Sequence, residues 1–448
     1  MDQDRSVLIV GAGMAGLAAA SRLSGGGVSV SLIEARNRIG GRVFTMQDPA
    51  SGAAVDLGAE FIHGKPPETL DRLEKAGVGI TEVEGQSWCV TDRRLQPCNF
   101  FGQIESILEK MDDSRPDESF LSFLQREFPN PEGDPGLESV KQRALGYVTG
   151  FNAADPALVG VHWLVQGMRA EARIEGDRAF RAKGGYKSLL DIFQKELVSA
   201  NVTVHTGTVV EAIQWKPGRA EITAHSAQQR LTFFSPRVLI TVPLAVLQAP
   251  AGQEGAVRFS PSLPEEKLRA LKKLEMGKVM RIVLCFRHRF WDTISPPGQN
   301  SSLSDMSFLL SQDEWFPTWW TTAPEKLPII TGWAPFRAGE RLSGQERSFV
   351  MAHSLQSLGT LLSVDPQKLE GELDSVYFHD WQADPYSRGV YSYGKAGSDG
   401  AQAALAAPIE NTLFFAGEAA DTNGNNGTVH GAMASGYRAA AEILNRLS

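Results

Sequence analysis

The chain opens on an apolar, largely β-branched run from Ser6 to Val10, then a glycine-rich turn, then an alanine-rich stretch from Met14 to Leu23. A second apolar run follows from Val28 to Ile33. Short uninterrupted apolar runs predict parallel strands buried on both faces, and the stretch between them predicts a crossover helix. Together they form a strand-helix-strand unit, the first half of a Rossmann-like sheet. From Pro97 to Leu197 the pattern is mostly helical, interrupted by a proline- and glycine-rich loop at 129–136. Strand patterns return at Val202 to His205, Val209 to Trp215 and Val238 to Val242, the last ended by Pro243. A helix from Pro264 to Leu274 precedes an alternating strand, Val279 to Phe286, and a proline- and serine-rich loop spans Ser295 to Asp305. Strands and helices alternate to Gly397, and a strand from Thr412 to Ala416 and a helix from Val429 close the pattern.

At 448 residues the chain exceeds one compact core and predicts two domains. A net charge of -8 argues against nucleic acid as partner and mildly favours a cationic small molecule. The three cysteines, Cys89, Cys98 and Cys285, make no CxxC pair and no even-numbered framework, so the chain reads as reduced and cytoplasmic. The polar start, Met1 to Arg5, does not read as a signal peptide, and no run of about 20 apolar residues predicts a membrane anchor. HExxH, GxSxG and P-loop patterns are absent and the histidines are scattered, so no metal is expected.

Gly11-Ala12-Gly13-Met14-Ala15-Gly16 fits G-x-G-x-x-G between strand and helix. Gly11 permits the tight turn, Gly13 lets backbone N–H groups approach a pyrophosphate, and Gly16 lets helix and strand pack closely. The helix N-terminus carries partial positive charge toward the phosphates. Glu34 ends the second strand, where its carboxylate can bond the ribose hydroxyls and repel a 2′-phosphate. This pattern alone does not separate NAD from FAD.

The next residues, Glu34-Ala35-Arg36-Asn37-Arg38-Ile39-Gly40-Gly41-Arg42, resemble the signature of the flavin amine oxidase superfamily. So do Asp56 to Gly64, Gly184-Gly185-Tyr186, Val238 to Leu247, Phe414 to Glu418 and Thr428 to Ala432. The resemblance runs end to end and is greatest to polyamine oxidases and the catalytic part of lysine-specific histone demethylases. It implies an α/β fold, with a Rossmann-like FAD-binding domain and a second α+β substrate-binding domain carrying a helical lobe. The FAD-binding domain is expected to be discontinuous, at 1–85, 200–260 and 400–448, and the substrate-binding domain at 86–199 and 261–399. FAD contacts are implied for Gly11, Gly13, Met14, Ala15, Gly16, Glu34, Ala35, Arg36, Gly41 and Arg42. They extend to Gly58, Ala59, Glu60 and Phe61, to Val210, and to Gly417, Glu418, Thr428 and Val429. Val390 stands at the position where monoamine oxidases carry the cysteine that attaches FAD, so FAD is expected to be noncovalent.

For the reaction centre, Trp381 to Tyr393 resembles the segment that sets an aromatic wall before the flavin. Tyr391 matches that wall, Trp381 opens the segment, and Thr428 stands where some members carry a second aromatic. A π-face beside the reacting nitrogen orients an amine and excludes water. Tyr393, two residues on, is a weaker candidate. His63 falls where polyamine oxidases carry a polar residue over the flavin, as base, substrate orienter or supporting group. The family's lysine near flavin N5 is replaced by Arg281, which keeps the charge but cannot act as a base. Lys278, three residues earlier, should face the opposite side, and Arg281 has an alternative in turning away to pair with an acid. The resemblance implies an amine oxidised by hydride transfer to N5, with O2 giving H2O2. The alternatives are a flavin-dependent desaturase or dehydrogenase acting on a non-amine, and an interaction flavoprotein. Monomer and homodimer both remain open.

Overall fold

Five short apolar strands hydrogen-bond in parallel, in the order Thr203–His205, Ser29–Ile33, Ser6–Val10, Val238–Ile240, Leu413–Phe415. The computed structural model that shows this describes residues 5–91, 94–227, 229–299 and 301–447. The polar Met1–Asp4 segment, read above as no leader, lies outside the described residues. Three helices, Met14–Gly25, Lys187–Ser199 and Val429–Asn445, pack on one face of the sheet, around Leu17, Leu23, Phe193 and Met433. The other face carries a second sheet, ordered Arg230–Ser235, Arg219–Ser226, Thr208–Lys216, Arg258–Ser260, over Val10, Ile213, Ile222 and Ile240. Strands drawn from both ends of the chain thus share one buried sheet, and a parallel sheet covered on both faces needs the uninterrupted apolar runs seen in the sequence.

The second unit is built on a seven-stranded sheet. Its order is Leu373–Tyr377, Val279–Phe286, Ile329–Pro335, Thr318–Thr321, Met306–Leu310, Gln86–Thr91, Arg94–Pro97. The strand Val279–Phe286 forms with the expected bounds, and all eight of its residues are buried. Met280, Ile282, Leu284 and Phe286 enter one core, Val283 and Cys285 the other, so the alternation separates two buried faces. Arg281 falls on the face of Val283 and Cys285. Helices Phe100–Leu108, Phe120–Glu127, Pro135–Gly150 and Val161–Ala172 form the lobe, with a core of Ile104, Phe120, Tyr147 and Leu164. None of the helices among the described residues is long and apolar enough to cross a membrane.

Two expectations are corrected. Cys89 and Cys98 form a disulfide, with Cα atoms 5.7 Å apart, while Cys285 is free and buried. The cause is a hairpin between 86–91 and 94–97 that the sequence pattern did not reveal, which folds two cysteines nine residues apart onto each other. The helix Lys187–Ser199, expected in the second unit, sets Leu189, Phe193 and Leu197 into the core of the parallel sheet. The chain returns already at Ala179–Ala182, which pairs with Ile62–His63 and Ile80–Glu82.

Candidate active site

The glycine turn is shaped by close backbone approach. Gly11 has φ +106°, and a Cβ there would lie 2.7 Å from Thr241 Oγ1. A Cβ on Gly16 would come within 2.0 Å of Gly11 O, so helix and strand touch through this glycine. Nothing lies within 4 Å of a Cβ on Gly13, which caps the helix without a side chain. The helix's first N–H groups therefore face open space, the arrangement that receives a phosphate. Met14 and Ala15 are buried and offer this space only their backbone. Glu34 Oε2 accepts the Ala12 N–H at 2.8 Å and Oε1 the Arg36 N–H at 2.9 Å. Burial outweighs these contacts and raises its carboxyl above the ordinary value.

The three arginines of the next turn differ in role. Arg36 donates to Asp384 (2.7 Å) and Ser387 (2.9 Å), strapping the turn to the 381–391 segment beside half-exposed Ala35. Arg42 donates to Val390 O (2.6 Å) and Glu418 (3.0 Å). Arg38, absent from the sequence candidates, keeps a buried Nη2 with no partner among the described residues, a donor available to a phosphate. Gly41 approaches within 3.2 Å of Gly13 when a Cβ is added, which brings this turn onto the cradle. Glu418 also accepts from Ser392 Oγ (2.6 Å) and Gly427 N–H (3.0 Å), tying three segments together beneath Gly417. Val210 sits at a bulge with its side chain in the core, so only its backbone is offered.

Gly58, Ala59, Glu60 and Phe61 retain accessible surface although Glu60 lies deep in the protein. His63 and Tyr391 behave the same way, as side chains lining an internal cavity do. Glu60, expected at the cofactor, is the hub of a buried clamp. Arg181 Nε donates to it at 2.7 Å, Trp320 Nε1 at 3.0 Å, and Arg281 Nη2 makes the third contact. Arg281 Nη1 donates to Gly58 O at 2.8 Å, and its buried Nε has no partner among the described residues. Arg281 therefore pairs with an acid while pointing inward. Lys278 lies on the opposite side, exposed and paired with Glu340.

Tyr391 donates its hydroxyl to Phe151 O at 2.8 Å, and its ring lies 3.3 Å from where a Cβ on Gly427 would stand. The His63 ring meets Phe151 edge-on at 5.4 Å. Burial pushes His63 down to about 4, and burial together with the neighbouring His63 does the same to His430. Both imidazoles are neutral at physiological pH. Glu171 has its carboxyl pushed up to about 7 by burial, and its charge is felt at Tyr147.

Three candidates take supporting positions. Thr428 caps the last helix: its Oγ1 accepts the Gly431 N–H (2.9 Å) and donates to Asn425 O (2.7 Å), and Val429 begins the helix against the sheet. Trp381 is buried with Nε1 donating to Leu57 O at 2.8 Å, its ring beneath Gly58. Tyr393 packs on Trp163 in the lobe. A cluster of Asp117, His162 and Asp399 is also closed on itself. Both His162 nitrogens are hydrogen-bonded, to Asp399 and to Arg115 O, and Asp117 accepts the His162 and Gly397 N–H groups.

Residues 14–88 and 90–444 match the family described as flavin containing amine oxidoreductase. The chain belongs to that family. It is 27% identical to polyamine oxidase 3 of Oryza sativa subsp. japonica, over 99% of this chain and 90% of the relative. It is 25% identical to lysine-specific histone demethylase 1 homolog 3 of Arabidopsis thaliana and 26% to lysine-specific histone demethylase 2 of Homo sapiens. These matches cover 99% and 98% of this chain but only 30% and 53% of those relatives. A putrescine oxidase with bound putrescine (TM-score 0.79, 20% identity) and the cyclohexylamine oxidase of Brevibacterium oxydans (0.77, 19%) share the fold, each over 99% of both chains.

This member of the flavin-containing amine oxidoreductases is an oxidoreductase whose cofactor is FAD. The residues present fit that cofactor: an open glycine cradle, an acid at the strand end, an Arg38 Nη2 without a partner among the described residues, and accessible surface deep in the protein at Glu60, His63 and Tyr391. Sequence reasoning missed Arg38, Arg181, Trp320, Glu171, His430 and Phe151. Arg38 and His430 stood within the quoted motifs, and the other four carry no local signal.

Proposed function

We propose that the protein oxidises the C–N bond of a small amine, with O2 as electron acceptor. When bound, FAD supplies at N5 the acceptor for the hydride lost from the carbon alpha to nitrogen. The nitrogen lone pair forms the imine, water hydrolyses it to a carbonyl and a free amine, and O2 takes the two electrons and two protons as H2O2. The observation that carries this reading is the wall: Tyr391, fixed through its hydroxyl on Phe151 O, faces a cavity whose histidines are held neutral. Such a wall orients a neutral amine and excludes water. An ammonium has no lone pair for the imine, so it must lose a proton first, and Glu171, whose charge is felt at the Tyr147 stacked on Phe151, titrates in the right range to take it.

Anaerobic mixing of the yellow protein with primary amines, polyamines and amino acids is expected to bleach the flavin band at about 450 nm with an amine. Bleaching by a non-amine alone would overturn the reading. The rate of flavin reduction should rise with pH through an ionisation near 7, where the Glu171 carboxylate forms, and Glu171→Gln should remove that step. A profile unchanged in the variant excludes Glu171 as proton acceptor. Valine at 390 has no sulfur to bond the isoalloxazine, so acid precipitation should leave all flavin in the supernatant. Yellow pellets would show a covalent link.

A further inference from the structure

A file of aromatic rings connects the surface of the helical lobe to the amine site. Phe101, 58% exposed, meets Tyr147 edge-on at 6.1 Å, Tyr147 stacks on Phe151 at 5.6 Å, and Phe151 meets His63 at 5.4 Å. Phe151 is itself 37% exposed, so one ring faces both solvent and the imidazole lining the cavity.

The turn that carries it is held from within. Trp333 Nε1 donates to Gly150 O at 2.9 Å and Tyr391 to Phe151 O at 2.8 Å. Ala153 adopts φ +49° and packs where a Cβ on Gly277 would come within 2.8 Å of its carbonyl oxygen. These contacts fix the backbone that carries the ring, and Tyr147 stacked on it and His63 edge-on brace the ring itself, so that it selects by shape.

Charge is scarce along this path. Arg281 and Arg181 are paired to Glu60, and His63 and His430 are neutral. Two buried carboxyls form no ion pair among the described residues and are held toward their neutral form: Glu171, whose charge is felt at Tyr147, and Asp56, which feels the charge of Glu60. A linear polyamine brings several cations, each of which must leave water, and carboxyls held toward their neutral form compensate them poorly. A ring-bearing amine instead gains offset or edge-on contact with Phe151 and Tyr147.

We propose that Phe151 is a specificity-determining lip and that the substrate is a monoamine with a cyclic or aromatic body, not a linear polyamine. This rests on the amine-oxidising reading above. The test is anaerobic reduction of the holoenzyme by benzylamine, cyclohexylamine, n-propylamine, putrescine and spermidine. The ring amines should reduce the flavin with apparent Kd at least about tenfold below the linear ones. Phe151→Ala should raise the ring-amine Kd about tenfold and the propylamine Kd by far less, and Phe151→Leu should recover part of the loss. An intact flavin spectrum in both variants checks folding. Faster reduction by putrescine or spermidine, or an equal Kd shift for ring and linear amines in Phe151→Ala, overturns the proposal but leaves amine oxidation standing. Reduction by none of the amines overturns both.

Discussion

Gly16→Val is expected to purify colourless and to stay colourless with excess FAD. Even the first carbon of the new side chain would lie 2.0 Å from Gly11 O, backbone against backbone. The helix cannot retreat, because on its other side a Cβ at Gly436 of the last helix would come within 2.2 Å of Ala15 O. Overpacking a core that can shift costs about 1–3 kcal/mol. Here there is no side chain to rotate away, so the upper end applies, and FAD affinity should fall by about 100-fold or more. Gly25→Ala, in the same helix with nothing within 4 Å, should bind FAD normally. Absorbance of the purified proteins decides it, and a Gly16→Val protein with native FAD content would separate this turn from the cofactor.

Arg281→Met should destabilise the folded protein by about 3 kcal/mol, because it leaves a buried carboxylate short of a partner. Burial alone would raise the Glu60 carboxyl, but Arg281 and Arg181 outweigh it and hold the group below its ordinary value. A depressed folded pKa contributes stability above the unfolded value, here 4.5, that is lost as pH falls. With Arg281 gone, burial has one arginine fewer against it, and ionising Glu60 becomes more costly. The deficit of Arg281→Met relative to the native protein should therefore be large at pH 8 and shrink toward pH 4. Denaturant titrations at the two pH values test this, and a deficit independent of pH would remove Glu60 as its origin.

These two sites differ in how far the sequence could reveal them. The cradle is local: Gly11 to Glu34 forms one strand-helix-strand unit, so its spacing survives in the linear chain. The Glu60 clamp is not. Arg181 lies 121 residues from Glu60 and Trp320 lies 260 away, and neither stands in a periodic pattern. Position assigned Arg281 to the reaction centre, but its partner depended on how two domains meet. The strand Val279–Phe286 was read to the residue, whereas the Gln86–Pro97 hairpin escaped notice because its exposed edge strand, Arg94–Pro97, has no apolar run. With it escaped the disulfide.

The parallel sheet draws its strands from residues 6–10, 29–33, 203–205, 238–240 and 413–415, and the final helix closes over the first. A chain emerging from the ribosome thus carries the Gly11 turn well before Glu418 and the helix Val429–Asn445 that completes the site. Flavin loading must wait for residues 413–445, and a product terminated before them would betray itself by its missing yellow colour.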